Sequence, residues 1–223
     1  NSDITLTIPD GETTTFTNST ITVAAEGEFV IDATGGSQRT SLVMDGTTAV
    51  NGNVRWLELA NLTLDANTSI VADSKGCQGD GGAGQGPDGS NVCTDSTGGF
   101  GNVVWLGVNA GAGGGYGGAG GNHSSNSGGG STYETASAPT LFGSSGGGGS
   151  VGGHGGGLVY INATGTVILD GDISADGGNG SAGYGGGGSG GAVYINTGIL
   201  TCTDLGSDGC DEAPVITAVA GNG

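Results

Sequence analysis

The sequence predicts an all-β fold: a parallel β-solenoid, or β-helix, whose glycine-rich segments pack as polyproline II or polyglycine II helices. Three features predict it: short runs of alternating apolar and polar residues, recurring strand-turn-strand units, and glycine tracts placed directly before strands. Glycine supplies 55 of 223 residues without a Gly-X-Y period, so a collagen triple helix is excluded. The usual helix formers are scarce outside these tracts, which excludes an all-helical fold.

Residues 1–76 form the first predicted segment, a set of N-terminal rungs. In Ile4-Thr5-Leu6-Thr7-Ile8 the apolar residues fall on one face and the threonines on the other. Pairs such as Asp-Gly and Asn-Gly separate these runs as turns. The short spacing fits either a sandwich or a coil of rungs. Similar alternating runs occupy residues 20–24, 28–31, 41–44, 54–59 and 62–65.

Internal repeats favour the coil over the sandwich. Residues 62–76 resemble residues 167–178, and residues 21–35 are an earlier echo of the same unit. A second repeat, a glycine run followed by an aliphatic-aromatic strand, occurs as GGFGNVVWLG (98–107), GGHGGGLVYIN (152–162) and GGGGSGGAVYIN (185–196). Units of this kind bury their inward faces only by stacking on neighbours, as solenoid rungs do.

The remaining chain divides into two further predicted segments. Residues 77–157 form a glycine-rich, disulfide-looped segment with one strand, and residues 158–223 form further rungs with another glycine tract. The apolar stretch within residues 214–223 has no evident partner strand, which favours a chain that continues into a longer protein. The tracts at residues 110–130 and 143–157 are either flexible or packed as polyglycine II helices, and we expect the packed form because they lie between strands.

Cysteines and asparagines predict an extracellular protein. We expect two local disulfides, Cys77 with Cys93 and Cys202 with Cys210, although four cysteines allow three connectivities. No C-x2-C pair occurs, which disfavours zinc. Six Asn-X-Ser/Thr sequons are typical of a secreted eukaryotic glycoprotein carrying N-linked glycans. They begin at Asn18, Asn61, Asn67, Asn122, Asn162 and Asn179.

Charge excludes several classes of partner. The chain has 21 acidic and three basic residues, for a formal net charge of −18. Such a surface repels phosphate backbones and anionic membranes, so we expect neither nucleic-acid binding nor membrane insertion. No run of 18 apolar residues is present to span a bilayer.

Catalytic chemistry lacks its usual partners. A phosphate loop needs Gly-Lys-Ser/Thr, whereas Lys75 precedes Gly76 and Cys77. A polysaccharide lyase or hydrolase needs a base with Arg or Lys, or a carboxylate pair. Arg39, Arg55, Lys75, His123 and His154 show no such arrangement in sequence, and turn capping explains the cluster Asp170, Asp172 and Asp176 equally well. We therefore predict no enzyme and no cofactor.

A structural calcium ion is the one cofactor kept open. Two sets of aspartates lie close enough in sequence to supply oxygen ligands, although neither follows the EF-hand spacing. The sets are Asp80, Asp88 and Asp95, and Asp204, Asp208 and Asp211.

GGHGGGLVYIN and GGGGSGGAVYIN, within residues 98–200, resemble the glycine-rich proteins of mastigonemes, the stiff hairs on the flagella of algae and related protists. The resemblance implies a glycosylated extracellular filament subunit that associates with itself. The cysteine-rich, growth-factor-like modules of that family are not found in this sequence. We expect a non-catalytic structural protein of a filament or surface appendage. A surface adhesion or cell-wall glycan-binding module, an ice-binding protein and a polysaccharide lyase or hydrolase are the alternatives.

Overall fold

The structure is a computed structural model. It describes residues 3–32, 40–79, 85–87, 93–94, 111–122, 128–134, 137–148, 151–181, 184–203, 205–206, 209–210 and 214–223. The described residues form β-strands, turns and extended segments, with no α-helix among them.

Three parallel five-stranded sheets, A, B and C, build the fold. Two short antiparallel pairs lie outside them, β10 (Gly86–Pro87) with β11 (Cys93–Thr94), and β17 (Leu205–Gly206) with β18 (Gly209–Cys210). Sheet A contains β1 (Ile4–Leu6), β4 (Glu28–Asp32), β7 (Asn53–Leu59), β12 (Leu158–Ala163) and β15 (Ala192–Asn196). Sheet B contains β2 (Thr13–Thr17), β5 (Ser41–Asp45), β8 (Leu62–Leu64), β13 (Thr166–Leu169) and β16 (Ile199–Thr201). Sheet C contains β3 (Thr20–Thr22), β6 (Ala49–Asn51), β9 (Ser69–Val71), β14 (Asp172–Ser174) and β19 (Ile216–Thr217).

The chain visits sheets A, B and C in turn and then starts again one layer on, so the strands form five stacked rungs. This arrangement confirms the predicted parallel β-solenoid. Strand β7 pairs directly with β12, so the rungs on either side of residues 72–157 stack as one solenoid. Ile216 pairs with Ile173 of the fourth rung. The expectation that residues 214–223 lack a partner strand is therefore wrong, because the partner lies about 40 residues earlier and no local pattern announces it.

Stacking in register aligns the inward side chains into core columns, rows in which each residue lies one rung from the next. In sheet C one column runs Ile21, Val50, Ile70, Ile173 and Ile216. The three inner members of that column are fully buried. A column of sheet A contains Trp56 between Ile31 and Ile161, and the Trp56 ring meets Phe29 edge-on at 6.1 Å. Each rung thus buries its apolar face against the rungs on either side.

Glycine-rich segments gather beside the solenoid into what we call the glycine bundle, residues 76–79, 111–121, 128–131, 143–148, 151–157, 175–181, 184–191 and 218–223. Backbone hydrogen bonds within the bundle recur every third residue. Gly153 and Gly156 donate to Gly186 and Ser189, both at 2.8 Å, and Gly111 donates to Tyr184 at 2.8 Å. A three-residue repeat bonded only between segments is the pattern of polyglycine II helices. The bundle therefore has the packed form that we expected of the glycine tracts.

Close approach of backbones explains why these positions are glycine. Positive φ angles among the described glycines occur at Gly11, Gly46 and Gly52, all outside the bundle. Within it, a Cβ added at Gly146 would overlap the carbonyl group of Gly186, and one added at Gly186 would overlap that of Ala112. At positions of this kind the segments lie too near one another for a Cβ atom, so packing requires glycine there.

Candidate assembly surfaces and the roles of the polar residues

Arg55 is held in a structural ion pair on the outer face of sheet A. Its Nε and Nη2 atoms donate to the two carboxylate oxygens of Glu28 at 2.9 and 2.8 Å. The guanidinium also lies 5.6 Å from the ring centre of Tyr160. The hydrogen bonds that Arg55 donates to Glu28 raise the pKa of Arg55, although partial burial opposes them. Arg55 therefore lies on the outer face of sheet A, where Glu28 and Tyr160 hold it.

His154 and Lys75 also serve the scaffold. The Nδ1 atom of His154 accepts a hydrogen bond from the backbone N–H of Gly79 at 2.7 Å. Lys75 Nζ donates to the carbonyl of Val23 at 3.3 Å. The other two candidates for general acid-base or electrostatic chemistry, Arg39 and His123, lie outside the described residues.

The aspartate cluster caps the last rung. Asp170, Asp172 and Asp176 each accept a hydrogen bond from a backbone N–H one rung ahead, at 2.7 to 2.9 Å. These three carboxylates therefore cap backbone N–H groups of the next rung, which matches the turn-capping interpretation of this cluster. Asp73 makes the same bond one rung earlier, to the N–H of Asp176 at 2.8 Å.

This capping extends along the whole solenoid and was missed from the sequence. At the corners, Asp or Asn Oδ1 atoms replace the ladder bonds that a bending backbone cannot make. The available signal was the recurrence of Asp and Asn at turns, but choosing the N–H that each one meets requires the rung register. Further examples are Asp3 to Glu28, Asn18 to Thr47, Asn53 to Leu158, Asn61 to Thr166 and Asn179 to Asn222.

The predicted sequons lie on the outside of the molecule. Asn18, Asn61, Asn67, Asn122 and Asn179 are exposed, and Asn162 is half-buried. Several of these asparagines use Oδ1 as a cap, and Asn61 also donates from Nδ2 to Ser41 at 3.3 Å. N-linked glycans attach to the Nδ2 atom, so capping through Oδ1 and glycosylation use different atoms of one side chain. Glycan attachment itself stays a prediction.

The structure contains the Cys77–Cys93 disulfide that the sequence predicts. Cys202 is buried and is also disulfide-bonded. The side chain of Cys210 lies outside the described part of the chain, so the pairing of Cys202 with Cys210 stays a prediction. Structural disulfides are typical of proteins in oxidising compartments.

Among the described residues, no group of three His, Cys, Asp or Glu side chains converges, so we find no metal site there. The two aspartate sets kept open for calcium, at residues 80, 88 and 95 and at residues 204, 208 and 211, lie outside the described residues. Calcium binding there stays a prediction.

Aromatic residues beside the bundle form an internal cluster. The rings of Tyr116 and Tyr133 meet edge-on at 5.1 Å, and Phe142 is fully buried. The Tyr116 hydroxyl donates to Glu134 at 3.1 Å, and the Tyr133 hydroxyl donates to the Phe142 carbonyl at 2.6 Å. Burial raises the pKa of both tyrosines, and the charge of Glu134 raises it further. Phe142 is therefore a core residue, and Tyr116 and Tyr133 lie half-buried beside it.

The two ends of the solenoid are different in character. Among the described residues, eight large apolar side chains are exposed, and four of them belong to the last rung. Another, Ile4, is 41% exposed in the first rung, while Val151, Tyr184 and Val219 lie in the glycine bundle. The four in the last rung are Ile199, Leu200, Val215 and Ile216, between 46% and 58% exposed.

Open core columns explain the exposure of Leu200 and Ile216. Leu200 and Ile216 occupy inward positions, because they pair with the buried residues Val167 and Ile173. On the rungs before them, the same columns are covered on both sides. Nothing among the described residues covers them on the far side, and the outer strands of this rung also present an unpaired backbone edge. Such an edge is a template for another strand.

Comparisons with protein-family models, with curated proteins and with solved structures found no match. In the described part of the chain we find no helix with the length and apolar character that a bilayer crossing requires.

Proposed function

We propose that this chain is a non-catalytic structural glycoprotein outside the cell, and that it assembles end to end into a filament or surface appendage. One observation carries the proposal: exposed apolar side chains and unpaired parallel edges are concentrated at the two ends of the solenoid, chiefly the last rung. A parallel solenoid buries its faces by adding rungs, so an open end is completed by another rung. The described catalytic candidates, by contrast, are engaged in scaffold contacts.

An extracellular location is supported by the Cys77–Cys93 disulfide and by the exposed sequons. Glycans at Asn61, Asn67 and Asn162, in the third and fourth rungs, would coat the sides of the solenoid. A filament of this kind is also what the resemblance to mastigoneme proteins implies. The glycine bundle would stiffen the subunit, because its helices are bonded to one another rather than to water.

Assembly is tested by electron microscopy and sedimentation of the purified chain. We expect filaments, and we expect their yield to rise with ionic strength, because subunits with a net charge of −18 repel one another until salt screens them. Leu200→Lys and Ile216→Lys place a charge on the last rung and should leave monomers. Val151→Lys, at a residue 50% exposed in the glycine bundle, is the matched control and should still assemble.

Circular dichroism of each variant checks that the sheets remain intact. A wild-type chain that stays monomeric at high concentration and high salt would contradict the proposal. Equal loss of assembly in all three variants would also contradict it, because the effect would then follow from added charge and not from the end surface.

Ice binding is a second candidate, favoured by the outer face of sheet B. Stacking brings Thr15, Val43, Thr63, Ile168 and Thr201 into one outward row, at a strand spacing of about 4.8 Å. The sequence shows no Thr-X-Thr column along its length, and only the rung register collects these hydroxyl and methyl groups. A regular, uncharged row of this kind matches the ordered, neutral surface of ice.

Ice recrystallisation assays test this candidate. It predicts inhibition by the wild-type chain, loss of inhibition in Thr63→Lys, and no change in Thr22→Lys, which carries the same charge on sheet C. Absence of inhibition and of ice shaping by the wild-type chain would eliminate it.

A further inference from the structure

We infer that the partner at each open end is a second copy of this chain, joined with sheets A, B and C each continuing into the same sheet of the neighbour. The inference rests on the proposed end-to-end assembly and specifies its partner, register and repeat. The last rung of one copy (β15, β16 and β19) pairs with the first rung of the next (β1, β2 and β3).

The core columns fix this register. In sheet A, Val193 and Ile195 end the two columns that Ile4 and Leu6 begin. A new copy displaced by one rung places Ile4 over Val193 and Leu6 over Ile195, so both columns continue. A slip of one residue would turn every inward side chain outward, because side chains alternate along a strand.

The same one-rung displacement of the neighbouring copy also continues the core columns of sheets B and C. Leu200 ends the column that Thr14 begins, and Ile216 ends the column that Ile21 begins. One rigid displacement therefore covers the exposed inward residues of all three sheets.

Charge disfavours a contact between two first rungs. The first rung carries Asp3, Asp10 and Glu12, and joining two copies of this rung would bring like charges together. The strands of the last rung contain no Asp, Glu, Lys or Arg, whereas the segment between β16 and β19 contains Asp204, Asp208, Asp211 and Glu212.

A contact between unlike ends does not close on itself, so it propagates as a filament. Each copy contributes five rungs, and neighbouring strands are about 4.8 Å apart, so the axial repeat should be about 24 Å. The glycine bundle would then recur along one side of the filament once in each repeat.

Filament imaging and cysteine trapping test the register separately from assembly itself. Cryo-electron microscopy of the wild-type filaments should give an axial repeat of about 24 Å containing five strand layers. For trapping, Ile4→Cys and Val193→Cys chains are mixed, assembled and oxidised, and a disulfide-linked dimer should form. Mixing Ile4→Cys with Ile216→Cys, which places the thiols on different sheets, is the matched control and should give no dimer above background.

Each outcome is decisive. Filaments with another repeat, or equal trapping in the control mixture, would overturn this register while leaving end-to-end assembly intact. Wild-type chains that form no filament would overturn the proposed function and this inference together. Assembly of either cysteine variant with wild type is checked first by sedimentation, so that a failed trap cannot come from a failed filament.

Discussion

The side chain of Asn53 accepts a hydrogen bond from the backbone N–H of Leu158 at 2.9 Å, joining strands that are 105 residues apart in sequence. Its Nδ2 atom donates to the carbonyls of Gly27 and Lys75 at 2.9 and 3.1 Å. Asn53 is fully buried at the start of the third rung, and its side chain reaches Lys75, just after the chain leaves that rung, and Leu158, which starts the fourth. One amide thus holds together the two ends of the long insertion.

Asn53→Ala should be strongly destabilising. The change leaves the Leu158 N–H and two carbonyls without their partner in a site closed to water. We expect the free energy of unfolding to fall by about 2–4 kcal/mol, measured by urea denaturation. Asn61→Ala is the control: it removes the equivalent cap at an exposed corner, where water can replace it, and should cost about 1 kcal/mol or less. Equal losses in the two variants would contradict the role given to Asn53.

Alanine substitutions in the glycine bundle should separate packed from open positions. Gly146→Ala and Gly186→Ala place a methyl group into a neighbouring backbone and should cost about 1–3 kcal/mol. Gly118→Ala and Gly121→Ala meet no atom within 4 Å and should be neutral or slightly stabilising. Thermal unfolding of the four variants gives the comparison. Similar midpoints for all four would mean that the segments are not packed as described.

Much of the fold could be predicted from the sequence, because its strongest signals are local. Alternation of period two predicts the strand at Ile4–Leu6, and the glycine runs before Leu158 and Ala192 predict strands that proved to pair with one another in register. The similarity of those two repeats reflects their stacking: residues one rung apart meet the same environment.

Contacts between residues far apart in the chain could not be predicted from the sequence. Two examples are the pairing of Ile216 with Ile173 and the cap from Asn53 to Leu158. Both depend on the number of residues in each turn and insertion between the strands, which the local sequence pattern does not give. Prediction of the end surfaces also requires the strand register. From the sequence alone, Leu200 cannot be distinguished from a buried strand leucine, because its position at the end of a core column is not visible. The contact between Tyr116 and Tyr133 could not be predicted from periodicity, because both residues lie in irregular backbone outside the strands.

Tyrosine ionisation should be coupled to stability at high pH. Burial favours the neutral phenols of Tyr116 and Tyr133, so their pKa values are higher in the folded chain than in the unfolded one. The unfolded chain therefore loses these protons first as pH rises. Their contribution is complete below the unfolded pKa of about 10 and is lost progressively above it.

The free energy of unfolding should accordingly fall as pH rises above about 10. Phenolate absorbance should show these two of the five tyrosines ionising only with unfolding. In Tyr116→Phe with Tyr133→Phe, the decline should be shallower. A folded protein in which all five tyrosines titrate together near the ordinary value would contradict the burial of this pair.

The Cys77–Cys93 disulfide should stabilise the glycine bundle more than the solenoid. Its cysteines are 16 residues apart, and Cys77 lies within the bundle, donating to Gly143 at 3.0 Å and accepting from Gly155 at 2.8 Å. Replacing both cysteines by serine frees the loop and should lower the free energy of unfolding by about 3 kcal/mol. The double variant is preferred to chemical reduction because Cys202 is also disulfide-bonded. Hydrogen exchange should then accelerate at Gly143 and Gly155 while the core strands around Ile70 stay protected. Uniform acceleration throughout the chain would show instead that bundle and solenoid unfold as one unit.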